Sequence, residues 1–182
     1  MANSTDKKSS SRVIMVTGGQ RSGKSVFAEN LALSLSERPV YIATARIFDE
    51  EMRRRVEIHR ERRRNRWRDV EAPLYPAATE LAYGEVVLID CLTLWATNWF
   101  FESGEDSGAA LREIKRQIDT LRTRPATFII VTNEVGLGGV SPNAMQRKFA
   151  DLQGTLNQYL ATLADEVYLV ISGIPVKIKP QS

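Results

Sequence analysis

Three features of this 182-residue chain bring together residue types that could do chemistry. The first is GGQRSGKS, Gly18 to Ser25, which fits G-x-x-x-x-G-K-[ST] in full. Glycines let backbone N–H groups curl round a phosphate without Cβ clashes. A helix starting at the end of the loop adds its partial positive charge. In such a loop Lys24 reaches the β- and γ-phosphates and the Ser25 hydroxyl holds Mg2+. Gly18, Gly19, Gln20, Arg21, Ser22, Gly23, Lys24 and Ser25 are therefore candidate nucleotide contacts; the plain alternative is a glycine turn that matches by chance. The second feature is Asp90, which ends the apolar run VVLID. An acid at the C-terminal end of a buried strand suits a second Mg2+ anchor, or equally a helix cap.

The third is VEIHRERRRNRW, residues 56 to 67, the densest positive stretch, which holds the only histidine, His59. At helical spacing Met52, Val56, His59 and Arg63 share one face. Three readings compete: a solvated helix with a packed imidazole, a nucleic-acid contact, and a nucleophile aimed at polyphosphate. Neighbouring guanidinium groups disfavour the imidazolium, so a neutral ring is expected at pH 7, and a neutral imidazole is a nucleophile. The same arginines could hold a triphosphate and neutralise charge as it builds. Only Trp67 is at hand for base stacking, which a nucleic-acid site would need. Residue types alone leave the three open.

These residues need a frame to position them. RVIMVTGG reads as a buried strand, and KSVFAENLALSLSE as a helix with Phe27, Leu31 and Leu35 at helical spacing. VYIATA (40 to 45) is a second strand, and DEEMRRRVEIHRERR a helix with acids first and bases last, as the helix dipole favours. EVVLID (85 to 90) and TFIIVTNE (127 to 134) are further strands; Asn133 and Glu134 end the latter at the presumed ligand edge without an assigned role. Residues 109 to 122 form an amphipathic helix through Leu111, Ile114, Ile118 and Leu121. Residues 143 to 165 form a longer one through Phe149, Leu152, Leu156, Leu160 and Leu163. EVYLVISG closes the core and VKIK adds an edge strand. FESGEDSG (101 to 108) reads as a loop. Trp95 and Trp99, four apart, read as core or subunit contact. Continuous apolar strands alternating with helices indicate an α/β fold: a mostly parallel central sheet flanked by helices.

The bulk properties narrow the setting. Apolar content of 43% and a length of 182 residues suffice for one cored domain, here residues 12–182, with residues 1–11 expected to be a disordered tail. The lone Cys91 excludes an internal disulfide and reads as a packed thiol, which with the polar start gives a cytoplasmic expectation. No apolar run approaches the roughly 20 residues of a membrane span. A net charge of +3 is too small to imply a polyanion partner by itself.

The stretches VTGGQRSGKS, YIATA, DEEMRRRVEIHR leading to Trp67 and Glu71, LIDCLTLWATN, VTNEVGLGGVSPN and ADEVYLVISGIPVKIK together resemble the bifunctional adenosylcobinamide kinase / adenosylcobinamide-phosphate guanylyltransferases of cobalamin biosynthesis. The likeness runs from about residue 13 to residue 179. It implies a P-loop NTPase domain of RecA-like type, assembly as a homotrimer, Mg2+, and GTP and ATP as substrates. It implies two reactions: phosphorylation of adenosylcobinamide, then guanylyl transfer from GTP through a GMP-histidine to adenosylcobinamide phosphate. The histidine falls on His59. Ala43, Thr44 and Ala45, the segment Arg60, Glu61, Arg62 and Arg63, then Glu71 and Asp90, fall on the family's nucleotide contacts. The catalytic set so implied is His59, Lys24 and Asp90, and the metal set Ser25 and Asp90. The chain departs from the family in reading Arg63-Arg64 where an Arg-Pro pair is common, in carrying Asp69 where Thr is common, and in Asp90 for a frequent Glu. The rival readings are a P-loop kinase of another small molecule and a RecA-like ATPase that binds nucleic acid; neither nucleic acid nor membrane is expected as a partner.

Overall fold

A computed structural model of the chain describes residues 11–47 and 50–180, without the side chains of Glu51, Met52, Arg55, Val56, His59, Arg62 and Arg64. The expected N-terminal tail, apart from residue 11, lies outside the described residues. Seven strands form one sheet: β1 (Arg12–Gly18), β2 (Val40–Ala43), β3 (Arg68–Glu71), β4 (Val86–Asp90), β5 (Thr127–Val131), β6 (Glu166–Ile171) and β7 (Ile174–Lys179). Their spatial order is β3-β2-β4-β5-β1-β6-β7. All pairs are parallel except β6 with the edge strand β7. The helices are α1 (Lys24–Leu35), α2 (Glu50–Arg63), α3 (Leu92–Glu102), α4 (Ser107–Arg122) and α5 (Ala144–Leu163).

The strands are continuously apolar because both faces are covered. Val13 and Met15 of β1, Val87 and Ile89 of β4, and Phe128 and Ile130 of β5 point into a core closed by α3, α4 and α5. The intervening Ile14, Val16, Leu88, Ile129 and Val131 point to the other face, against α1 and Trp67. This period of two is what a two-faced parallel sheet requires.

The elements depart from expectation in four places. α1 fully buries Ala28 and Ala32; Phe27 and Leu31 of the expected stripe are half-buried against the same cluster, and Leu35 is exposed. β3 is a strand that RDVE does not announce, because an edge position buries only alternate residues. α3 runs to Glu102, so of the expected 101–108 loop only residues 103–106 connect helices. α4 begins at Ser107, since Asp106 Oδ1 accepts from the N–H groups of Gly108 and Ala109 at 2.8 and 3.0 Å. Trp95 is fully buried, and the indoles of Trp95 and Trp99 both donate to the Leu74 carbonyl. No described helix is long and apolar enough to cross a membrane.

Candidate active site

The parallel strands end on one edge, so Gly18, Ala43, Asp90 and the residues after Val131 open onto a common crevice. There a cavity of about 750 Å3 is walled by Gly19, Gln20 and Ser25 of the glycine loop, Ala43 and Ala45 after β2, Asp90 and Cys91 after β4, and Asn133 and Glu134 after β5. Arg63, the last residue of α2, also reaches it.

The loop is tightly built. A Cβ on Gly18 would lie 2.5 Å from the Val170 carbonyl oxygen and 2.7 Å from Ser22 Oγ, so the chain passes there only without a side chain. Gly23, at φ 94°, occupies the left-handed region that glycine accepts without cost. The Gly173 N–H donates to the Ser22 carbonyl at 2.8 Å, fixing the loop to the β6–β7 turn. Ser22 Oγ is buried without a hydrogen-bond partner. It packs under the loop against Gly18 and is not part of the cavity wall. Lys24 is buried, and its Nζ donates to the Gly19 carbonyl at 2.8 Å. Burial lowers its pKa, opposed by the fields of Cys91 and Asp90. Gln20 and Arg21 are exposed at the loop's tip.

Asp90 Oδ2 accepts from the Tyr41 hydroxyl at 2.9 Å. Burial, then Asp90, holds the Tyr41 phenol well above its usual pKa, so it stays a donor. The Arg63 guanidinium stacks on the Tyr41 ring, Cζ to centroid 3.5 Å, and its Nε donates to Asp69 Oδ1 at 2.9 Å. A relay of Asp69, Arg63, Tyr41 and Asp90 thus ties the end of α2 to the acid of β4. Arg63 Nη1 is buried without a partner in a residue that walls the cavity. Without a proline at 64 the chain continues from α2 directly into a 3-10 turn, Arg64–Arg66, which a proline would disfavour at its preceding residue. That continuity, and Asp69 in place of Thr, seat Arg63 here.

Glu134 is the principal residue that the sequence left without a role. Its N–H donates to the Gly18 carbonyl at 3.1 Å, beside the glycine loop. Its Oε1 accepts from Thr17 Oγ1 at 2.6 Å and from Asn157 Nδ2 at 3.3 Å. Behind it lies a buried polar cluster: Asn157 Oδ1 accepts from Thr132 Oγ1 and Gln153 Nε2, and Asn157 Nδ2 donates to the Asn133 carbonyl. The signal was present, since Gln153 and Asn157 interrupt the buried stripe of α5 at i and i+4.

The expected contacts divide. Ala43 and Ala45 wall the cavity, but Thr44 between them is fully buried, and its hydroxyl donates to the Cys91 carbonyl and accepts from the Cys91 N–H, both at 2.8 Å. Its side chain clasps β2 to β4 and does not face a ligand, because alternate residues at a strand end point to opposite sides. Arg60, Glu61 and Glu71 are exposed and absent from the cavity wall; Arg60 and Glu71 pair with each other at 3.5 Å. A helix presents every residue to a different azimuth, so among the described side chains of that segment Arg63 alone turns inward. The side chains of His59 and Arg62 lie outside the described residues. The backbone of position 59 belongs to α2, one turn before Arg63. Cys91 is a buried thiol, raised to about 12 by burial and then by Asp90, which removes it as a nucleophile.

Among the described residues no group of three or more His, Cys, Asp or Glu side chains gathers as a metal cage. Mg2+ bound with a nucleotide ordinarily takes only one or two protein ligands, the rest being phosphate oxygens and water. A hydroxyl and a carboxylate on one cavity, Ser25 and Asp90, fit that demand.

A solved structure from Pyrococcus horikoshii OT3 shares the α/β fold, with a TM-score of 0.53 at 8% identity over 93% of this chain and 86% of that one. The chain is 43% identical to the Escherichia coli (strain K12) bifunctional adenosylcobalamin biosynthesis protein CobU, over 92% of this chain and 99% of that protein. The Salmonella typhimurium protein of the same name is 41% identical over 92% and 99%. The Pseudomonas aeruginosa bifunctional adenosylcobalamin biosynthesis protein CobP is 39% identical over 91% and 96%. The sequence model of one family matches residues 14–178, and with it the glycine loop, the arginine helix and the Asp90 and Glu134 strand ends fall inside one described lineage: the chain belongs to the cobinamide kinase / cobinamide phosphate guanyltransferase family.

Proposed function

We propose that the chain phosphorylates adenosylcobinamide and then converts the product to adenosylcobinamide-GDP in one nucleotide crevice. The observation that carries this reading is a single cavity joining the glycine loop, Asp90 and Glu134 to Arg63, a residue with an unpaired Nη1 that stands one helical turn from position 59. One turn is about 5.4 Å along the axis, and residues four apart share a face.

In the first reaction the aminopropanol hydroxyl attacks the γ-phosphorus of ATP or GTP. The nucleoside diphosphate leaves, and Glu134 takes the hydroxyl proton. The loop N–H groups and Lys24 hold the phosphate oxygens on which charge gathers. Ser25 and Asp90 would hold Mg2+, which neutralises charge on the bridging phosphates. In the second reaction a His59 ring nitrogen attacks the α-phosphorus of GTP. A P–N bond forms and pyrophosphate leaves. The phosphate of adenosylcobinamide phosphate then attacks the same phosphorus, the P–N bond breaks, and the imidazole is restored. Arg63, held by Asp69 and Tyr41, presents its free N–H to the nucleotide throughout.

Assembly as a trimer and a cytoplasmic location go with this reading. For assembly the support is β7, where Ile174, Val176 and Ile178, on one side of an edge strand, are all exposed. Against a nucleic-acid role, four of the six arginines with described side chains in residues 53–68, Arg53, Arg60, Arg63 and Arg68, face a carboxylate (Glu50, Glu71, Asp69 and Glu85), while Arg54 and Arg66 are exposed. The deciding experiment is incubation with GTP labelled at the α-phosphate. Acid-labile, base-stable label is expected on the protein, absent in His59→Ala, which keeps kinase activity. Label retained in that variant removes His59 from its role, and kinase without any label leaves a plain small-molecule kinase.

A further inference from the structure

A second cavity, about 630 Å3, lies beside the nucleotide crevice and is not used by the chemistry above. Its volume is within the roughly 300–1,000 Å3 of small-molecule sites. It runs between the end of α3, the segment 135–141 and the start of α5. Its walls are Phe101, Val140, Met145 and Phe149, and it shares Val135 and Gly138 with the nucleotide cavity. Val140 is 88% exposed, Phe101 54% and Met145 40%, so a broad apolar floor faces solvent.

The ridge between the two cavities is the 3-10 turn Val135–Gly138, which directly follows Glu134. Gly136 and Gly138 of this turn have no positive φ, and a Cβ at either would meet nothing within 4 Å. The fold itself therefore does not require glycine at these two positions; only Gly139, at φ 88°, has a backbone reason. Leaving off two side chains opens the groove side of the ridge, where Gly136 and Gly138 line the second cavity, while Leu137 between them, 77% exposed, lines the nucleotide cavity. A molecule lying on the apolar floor can then reach over the ridge to Glu134 and the phosphates.

We propose that this groove is the seat of the corrinoid acceptor. The inference rests on the function proposed above. The occupant it fits is a broad macrocycle with apolar faces and amide groups around its rim. Asp151 and Arg147 both line the groove, so it carries one charge of each sign, and the Asp151 carboxylate can accept from rim amide N–H groups while Arg147 can donate to rim amide carbonyls. The reacting hydroxyl must come within about 3–3.5 Å of phosphorus. A seat that shares a wall with the nucleotide cavity, next to the proton acceptor, meets that demand without a large rearrangement of the sheet.

The test uses Val140→Glu and Gly136→Leu, with Val140→Ile as the conservative control. Equilibrium binding of cobinamide is measured without nucleotide, labelling by α-labelled GTP without cobinamide, and molar mass by light scattering. Burying a charge against the macrocycle, or raising the ridge, is expected to weaken cobinamide binding at least about tenfold. Labelling, mass and the control's affinity stay as in the parent chain. Unchanged affinity in both variants overturns the proposal. A lower molar mass in Val140→Glu also overturns it, since the groove is then a contact between copies. A parent chain that binds cobinamide but takes no label sinks the guanylyl-transfer reading and leaves the seat standing.

Discussion

Replacing Glu134 by Gln separates the two reactions, because only one of them starts from a hydroxyl. A hydroxyl must lose its proton as it attacks phosphorus, whereas the histidine nitrogen and the cobinamide phosphate attack through lone pairs already free. The structure sets the size of each effect. Both recorded contacts of the Glu134 side chain, Thr17 Oγ1 at 2.6 Å and Asn157 Nδ2 at 3.3 Å, are donated to one oxygen. A Gln carbonyl accepts both, so the fold loses no more than about 1 kcal/mol, a melting shift within about 4 °C for a chain of this length. The lost proton acceptor is worth about 10²–10⁴ in rate, or about 3–5 kcal/mol of barrier. Phosphorylation of cobinamide is therefore expected to fall by that factor in single-turnover assays, while α-labelled GTP loads the protein at the parent rate. GMP transfer to cobinamide phosphate is also expected to persist. Kinase activity at the parent level would show that the proton leaves by another route. Equal loss of both reactions, with the melting temperature unchanged, would make Glu134 a nucleotide ligand and refute the argument.

Three further outcomes follow from other parts of the site and frame. Lys24→Met removes the buried ammonium of the glycine loop and should abolish both reactions, with loss of GTP binding seen directly by fluorescent-nucleotide titration. Asp69→Ala strips the partner from the buried Arg63 guanidinium and should cost about 3 kcal/mol, measured by urea unfolding, with a weaker affinity for GTP as Arg63 loses its seat. Glu166 is buried; burial alone would raise its carboxyl, but the donors Lys177, Arg12 and Tyr168 outweigh it and hold the pKa near 2. Its folded value lies below the ordinary 4.5, so it stabilises the fold above about pH 4.5 and that contribution is lost as pH falls toward 2. Glu166→Gln should flatten the acid limb of a stability–pH curve.

Legibility in the sequence tracked how local the cause was. The central strands were readable because burial on both faces forces an unbroken apolar run, and β1, β4 and β5 carry one. β3 was not, because an edge strand next to β2 needs only two inward residues, and RDVE offers Arg68 and Val70. The start of α4 was displaced because capping, not hydrophobic spacing, decides where a helix begins, and Asp106 was hidden in an acidic loop. The glycine loop and Asp90 are local in this sense: each sits at the end of its own strand, and parallel strands end together.

The arginine segment shows where local reasoning stops. The three arginines of residues 60–63, Arg60, Arg62 and Arg63, look equivalent in sequence, and the likeness to the family assigns them one role with Glu61. In the fold, Arg63 alone among those with described side chains enters the cavity, because Asp69 of β3 and Tyr41 of β2 draw it in. Glu134 is the converse. Its type and strand-end position were plain, but its role depends on Thr17 of β1 and Asn157 of α5 converging on it from 117 and 23 residues away. A long-range cluster of this kind does leave a trace: polar residues where an amphipathic stripe should be apolar. Gln153 and Asn157 break the stripe of α5 on the side that faces Thr132 and Glu134. A buried amide costs stability unless it is bonded; Asn157 is bonded at both its oxygen and its nitrogen, so its place in an otherwise leucine-lined helix face marks the strand end it holds.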